Sequence, residues 1–135
     1  MIATAGKTLP EVANEVLGKL VEQGKRCIND EGSCLYGEGQ THCAIGWLLP
    51  EDNAELMEFT GGVHRLVGKD LGPNQKFIES NREALGELQT VHDASYPNAL
   101  SMAAAHLRES VGPIPNLDEW CALRTQQIEE SNNAI

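Results

Sequence analysis

The stretch from Cys34 to Trp47, Cys-Leu-Tyr-Gly-Glu-Gly-Gln-Thr-His-Cys-Ala-Ile-Gly-Trp, gathers more chemically capable side chains than any other part of the chain. Thr41 is of the N-cap type, which predicts a short helix from His42 and Cys43 to just before Pro50. A thiol in the first turn of a helix meets unsatisfied N–H groups and the positive end of the dipole, and both stabilise a thiolate. A nucleophilic thiolate also needs a base, and the base an orienting partner. His42 would point elsewhere on such a helix. His92, followed by Asp93, is the better base, so Cys43 with His92 is the candidate pair of a small cysteine-dependent enzyme. The bland alternative is a buried, apolar Cys43 where helix meets loop, since cysteine is among the most buried residue types. That alternative is preferred, and no catalytic residue is assigned.

Metal chemistry has weaker support. Cys27, Cys34, His42 and Cys43 are ligands of the right kind for zinc. They lack the two close pairs of a finger, and adjacent His42 and Cys43 strain a tetrahedron. The expectation is no metal and no cofactor. Gly37-Glu38-Gly39 lacks the Lys-Ser or Lys-Thr of a phosphate loop and is acidic where phosphate would sit. Glu83 and Glu87, one helical turn apart, read as a solvated face. Trp47 and Trp120 read as core anchors.

Charge points to another kind of work. Twenty acidic against ten basic residues give a formal charge of −10, which disfavours direct contact with nucleic acid or lipid headgroups. Glu51, Asp52, Glu55 and Glu58 concentrate that charge around Leu56, Met57 and Phe59. They are the candidate partner-binding residues, suited to a protein with a basic surface or to mimicry of a nucleic acid. The opening ten residues hold no apolar stretch of signal-peptide length, and the longest apolar run, Ala44 to Leu49, is too short to span a bilayer. The expected compartment is therefore the cytoplasm, with reduced thiols.

Helices must position these residues. Aromatics are 4% of the chain, so aliphatic side chains and alanine carry the packing, which favours helices over a sandwich. Thr8-Leu-Pro-Glu11 is a capping box, and Leu9, Val12, Ala13, Val16, Leu17, Leu20 and Val21 follow at helical spacing up to Gly24. Residues 25–42 read as turns, with a small hairpin pairing Cys34-Leu35-Tyr36 with a strand ending near Thr41 and anchored by Tyr36. Val63, Leu66, Val67 and Leu71 predict a helix up to Gly72-Pro73. Ser80-Asn-Arg-Glu83 is a second capping box, opening a helix through Leu85, Leu88, Val91 and His92. Pro97 begins another, ended by Gly112-Pro113, and Asn116-Leu-Asp-Glu119 opens the last, with a frayed tail from Ser131.

The predicted fold is mostly α: a compact bundle of five or six helices with a small Gly-rich turn or hairpin near residues 30–42. It is one domain over 1–135 with its core within about 8–130. The predicted core comprises Val12, Val16, Leu17, Leu20, Ile45, Leu48, Leu85, Leu88, Leu100, Ala104 and Leu107. Asp93 sits poorly at a helix C-terminus, so its carboxylate is expected to take backbone N–H groups of the following turn, without contact between Cys43 and His92.

The order Cys34-x-Tyr36, His42-Cys43-Ala44-Ile45-Gly46-x-Leu48-x-Pro50 and Leu88-Gln89-Thr90-Val91-His92-Asp93 resembles a family of small bacteriophage and bacterial proteins without assigned activity. The resemblance spans roughly residues 9–110. It implies an accessory protein that binds and inhibits a host protein in the host cytoplasm, including nucleases of restriction or CRISPR defence. The competing readings are the Cys43–His92 enzyme and a small-ligand binder with its pocket under the Gly-rich turn.

Overall fold

The computed structural model describes residues 1–27, 35–38, 41–58, 63–66 and 68–133. Helix α1 (Leu9–Gln23) begins as its capping box requires: the Glu11 N–H donates to Thr8 Oγ1, and the Thr8 N–H donates back to the Glu11 carboxylate. Pro10 sits in the first turn, and Gly24, at φ 77°, closes the helix through its N–H on Leu20 O. The α1 stripe of Val12, Ala13, Val16, Leu17 and Leu20 is buried against α6 (Pro115–Asn133). Two further helices, α4 (Arg82–Asp93) and α5 (Pro97–Val111), pack on each other, and α5 also packs on α6. All eleven predicted core residues are buried.

The centre of the chain departs from expectation. The hairpin pairs β1 (Gly37–Glu38) with β2 (Thr41–His42), antiparallel, with Gly37 opposite His42. The first strand thus lies after Tyr36 rather than on Cys34–Tyr36, and Cys34 lies outside the described residues. Tyr36 is the anchor expected of it: it is buried, and its carbonyl accepts the Cys43 N–H at 3.3 Å. Thr41 is in β2 and caps nothing. Gln23 holds β2 from both sides, accepting from the His42 N–H at 2.8 Å and donating Nε2 to His42 O at 2.9 Å. With these backbone groups engaged, the second helix shrinks to one 3-10 turn, Ile45–Leu48.

Short α2 (Ala54–Met57) is capped by Asn53, whose Oδ1 accepts the Leu56 N–H. The helix predicted over Val63–Leu71 is instead a 3-10 turn, Val63–Leu66, followed by Gly68 at φ 84° and Gly72 at φ 78°. Left-handed glycines cannot continue a helix. Phe59 and Val67 lie outside the described residues. Ser80 does not cap α4. It ends α3 (Gln75–Ser80), an additional helix drawn inward by buried Ile78 and half-buried Phe77. Asn81, at φ −122° and ψ 27°, makes the bend from α3 into α4. Gly112, at φ 104°, ends α5 as predicted, while α6 starts at Pro115 and runs through Ser131 to Asn133. Among the described residues no helix is long and apolar enough to cross a membrane.

The first residues also belong to the core, which their sequence does not announce. Ile2 is buried, its N–H on Trp47 O. Asn74, 2% exposed, donates Nδ2 to Ile2 O and Leu48 O, and its Oδ1 accepts the Thr4 N–H and hydroxyl. One amide thereby joins the N-terminal segment to the Ile45–Leu48 turn.

Candidate functional site

The two chemically suggestive motifs meet in the interior. The segment after Cys43 rests on α4 through the Ile45 N–H, which donates to Gln89 Oε1 at 3.2 Å. One turn further along α4, His92 Nδ1 lies 2.7 Å from Asp93 Oδ1 and 3.4 Å from Gln89 Nε2. Gln89 Nε2 also donates to Asp93 Oδ1 at 3.0 Å. Asp93 is therefore held by two side chains of its own helix, where backbone N–H groups were expected. Spacings of three and four residues bring all three groups to one helix face. The His92 ring stacks on Trp120, with centroids 6.0 Å apart and planes 4° from parallel.

Cys43 and His92 are thus both buried, on segments that the Ile45–Gln89 hydrogen bond joins. Cys43 Sγ accepts the Gly46 N–H at 3.4 Å, the place of a capping side chain over the 3-10 turn. A four-residue turn carries little of the dipole that would favour a thiolate. Cys43 and His92 are each 0% exposed. A nucleophile that must reach a substrate needs an opening, and neither side chain is exposed to solvent.

Two arginines close the end of α4. Arg26 Nη1 donates to Asp93 O at 3.1 Å and Ser95 Oγ at 3.4 Å, while Arg124 Nη2 donates to Ala94 O at 3.1 Å. These guanidinium groups face the negative end of the α4 dipole, the offset that Asp93 requires. Burial of Arg124, and then the charge of Arg26, lower the Arg124 pKa to about 10.

Of the candidate metal ligands, Cys27, His42 and Cys43 lie among the described residues. Cys27 Sγ donates to Thr41 O at 3.4 Å, and the His42 ring lies 4.4 Å from that of Trp47. Among the described residues no three histidine, cysteine or acidic side chains are grouped to hold a metal ion. Trp120 is a core anchor as predicted, whereas Trp47 is half-buried, with Lys19 Nζ 5.8 Å from its ring. Glu83 is exposed, but Glu87 is half-buried, its Oε2 shielded and without a hydrogen-bond partner among the described residues.

Glu51, Asp52, Glu55 and Glu58 are all exposed, on the turn before α2 and on α2 itself. Glu51 accepts the Met1 ammonium at 2.7 Å. That hydrogen bond, and then the charge of the ammonium, hold the Glu51 pKa below the usual carboxylate value. Glu55 pairs with Lys69 at 3.4 Å. Grooves flank this acidic ridge. One is lined by Leu35, Gly37, Ala54 and Met57 together with Glu51, Asp52 and Glu58, and the other by Pro50, Asp52, Asn53 and Asp70 among others. Of the four residues singled out by charge, Glu51, Asp52 and Glu58 line one groove, and Asp70, which sequence reasoning passed over, lines the other with Asp52. The chain matches no family model, no curated protein and no solved structure.

Proposed function

We propose that this protein acts by binding: a small acidic accessory protein of the phage type that docks on a host protein and inhibits it. The favoured target surface is basic and binds nucleic acid, as in a defence nuclease. The observation that carries the reading is the exposed ridge of Glu51, Asp52, Glu55 and Glu58, flanked by two grooves on a chain of net charge −10. Such a surface steers toward a positive partner and repels nucleic acid, which competes for the same partner. The resemblance of the Cys43–Pro50 and Leu88–Asp93 segments to small phage proteins supplies the biological setting. The enzyme reading on Cys43 and His92 is disfavoured by their complete burial.

Capture from host lysate on immobilised protein tests this. Wild type is expected to retain a nucleic-acid-binding protein that added duplex DNA displaces. A variant carrying Glu51→Gln, Asp52→Asn, Glu55→Gln and Glu58→Gln is expected to lose it. Equal capture by the two forms overturns the reading.

A further inference from the structure

We infer that the groove between α2 and the hairpin receives a single arginine side chain of the partner protein. Its methylene stem lies on Leu35 and Met57, and its guanidinium reaches Asp52 and Glu58. The inference rests on the binding reading above and names the chemistry of the contact.

The groove is open to solvent, has a volume of about 450 Å³, and is part apolar, part acidic in its lining residues. Its apolar side is built by Leu35, Gly37, Ala54 and Met57. Gly37 holds that side together, because a Cβ there would collide with Met57 Sδ and stand 3.0 Å from the His42 ring. The hairpin is thus fixed closely against the methionine that forms the floor.

The acidic side already selects cations. Glu51 holds the Met1 ammonium at 2.7 Å, and Glu55, outside the groove, holds the Lys69 ammonium at 3.4 Å. Asp52 and Glu58 have no cation partner among the described residues, and both line the groove. Two uncompensated carboxylates beside an apolar floor suit a cation on an apolar stem. Lysine and arginine both have that form. Arginine fits better, because its planar fork spans two carboxylates and its head loses less on leaving water than an ammonium. A bare divalent cation fits less well, since among the described residues no three histidine, cysteine or acidic side chains are grouped to hold a metal ion.

The test uses amide chemical shifts of the full chain titrated with acetyl-Gly-Gly-Arg-Gly-Gly-amide and with the same peptide carrying norleucine or lysine. The arginine peptide is expected to shift the amides of Asp52, Ala54, Met57 and Glu58, and the norleucine peptide to leave them in place. Asp52→Asn with Glu58→Gln should weaken the arginine peptide about tenfold, the loss of charge-assisted hydrogen bonds. Ala54→Leu should abolish its binding without changing any charge, because Ala54 is exposed and the larger side chain fills the groove. Norleucine shifts equal to those of arginine, equal affinity for lysine and arginine, or unaltered binding to the Ala54→Leu protein would each overturn the inference. Should Ala54→Leu protein also capture the host partner as well as wild type while the four-carboxylate variant does not, the groove falls and the binding reading stands. If the four-carboxylate variant captures the partner undiminished, the binding reading falls as well.

Discussion

At the scale of single residues, Gly46 explains more of the Cys-Ala-Ile-Gly motif than Cys43 does. Its α-carbon lies so close to the Tyr36 carbonyl that a Cβ would overlap the oxygen, and the same carbonyl accepts the Cys43 N–H. Gly46→Ala must therefore push apart two buried backbone segments. It is expected to cost about 3 kcal/mol, read by chemical denaturation. The Gln89 side chain has a comparable role, since its Oε1 accepts the buried Ile45 N–H and its Nε2 reaches Asp93. Gln89→Leu leaves that N–H unsatisfied and should cost about 1–3 kcal/mol in the same measurement. Asp93→Ala should lower the melting temperature by removing the acceptor shared by Gln89 and His92. The thiols follow from burial. Cys27 and Cys43 are 1% and 0% exposed, whereas Cys121 is half-buried, its pKa raised first by desolvation. Mass-mapped alkylation of native protein at neutral pH should label Cys43 only as the chain unfolds. Rapid native labelling of Cys43 would restore the nucleophile reading.

At the scale of elements, what the sequence revealed was local. The Thr8 box, Gly24, Pro97 and Gly112 act within a few residues of themselves, so each boundary they mark is where the structure has it. Thr8→Ala should cost about 1 kcal/mol for the lost cap. Thr41 and Ser80 have equally good cap chemistry and cap nothing, because other parts of the chain decide their fate. Gln23 claims the backbone beside Thr41, and burial of Ile78 carries helix α3 up to Ser80. Apolar spacing over Val63–Leu71 reads as a helix, yet Gly68 in a left-handed conformation breaks it. The candidate site was legible to the same degree. Charge density located the ridge, but not the groove, which exists only where the hairpin meets α2 and Met57. Asn74 was invisible for the same reason: its four bonds reach residues at separations of 26, 70 and 72 in the chain.

At the scale of the whole molecule, net charge sets the response to solution conditions, and two effects oppose each other. Ten excess negative charges repel one another in the folded state more than in the expanded chain. Screening removes that repulsion, because the Debye length falls from about 30 Å at 0.01 M salt to about 8 Å at 0.15 M. Screening also weakens the ion pairs Met1–Glu51, Lys7–Glu15 and Lys69–Glu55. Each exposed pair contributes only about 0–1 kcal/mol, so the relief of repulsion is expected to win. Melting temperature at pH 7 should therefore rise as sodium chloride increases over this range, and a steady fall would contradict the argument. Acid works through particular groups. Glu11 is held below 4.5 chiefly by its hydrogen bond with the Thr8 side chain, and Glu51 by its bond to the N-terminal ammonium. A carboxylate whose pKa is depressed by folding stabilises the fold above its unfolded value, and that stabilisation is lost as pH falls through the folded one. Thermal melts below pH 4.5 should show this decline. Glu11→Gln together with Glu51→Gln should flatten it while lowering stability at neutral pH. An unchanged acid slope in that double variant would assign the decline to other carboxylates.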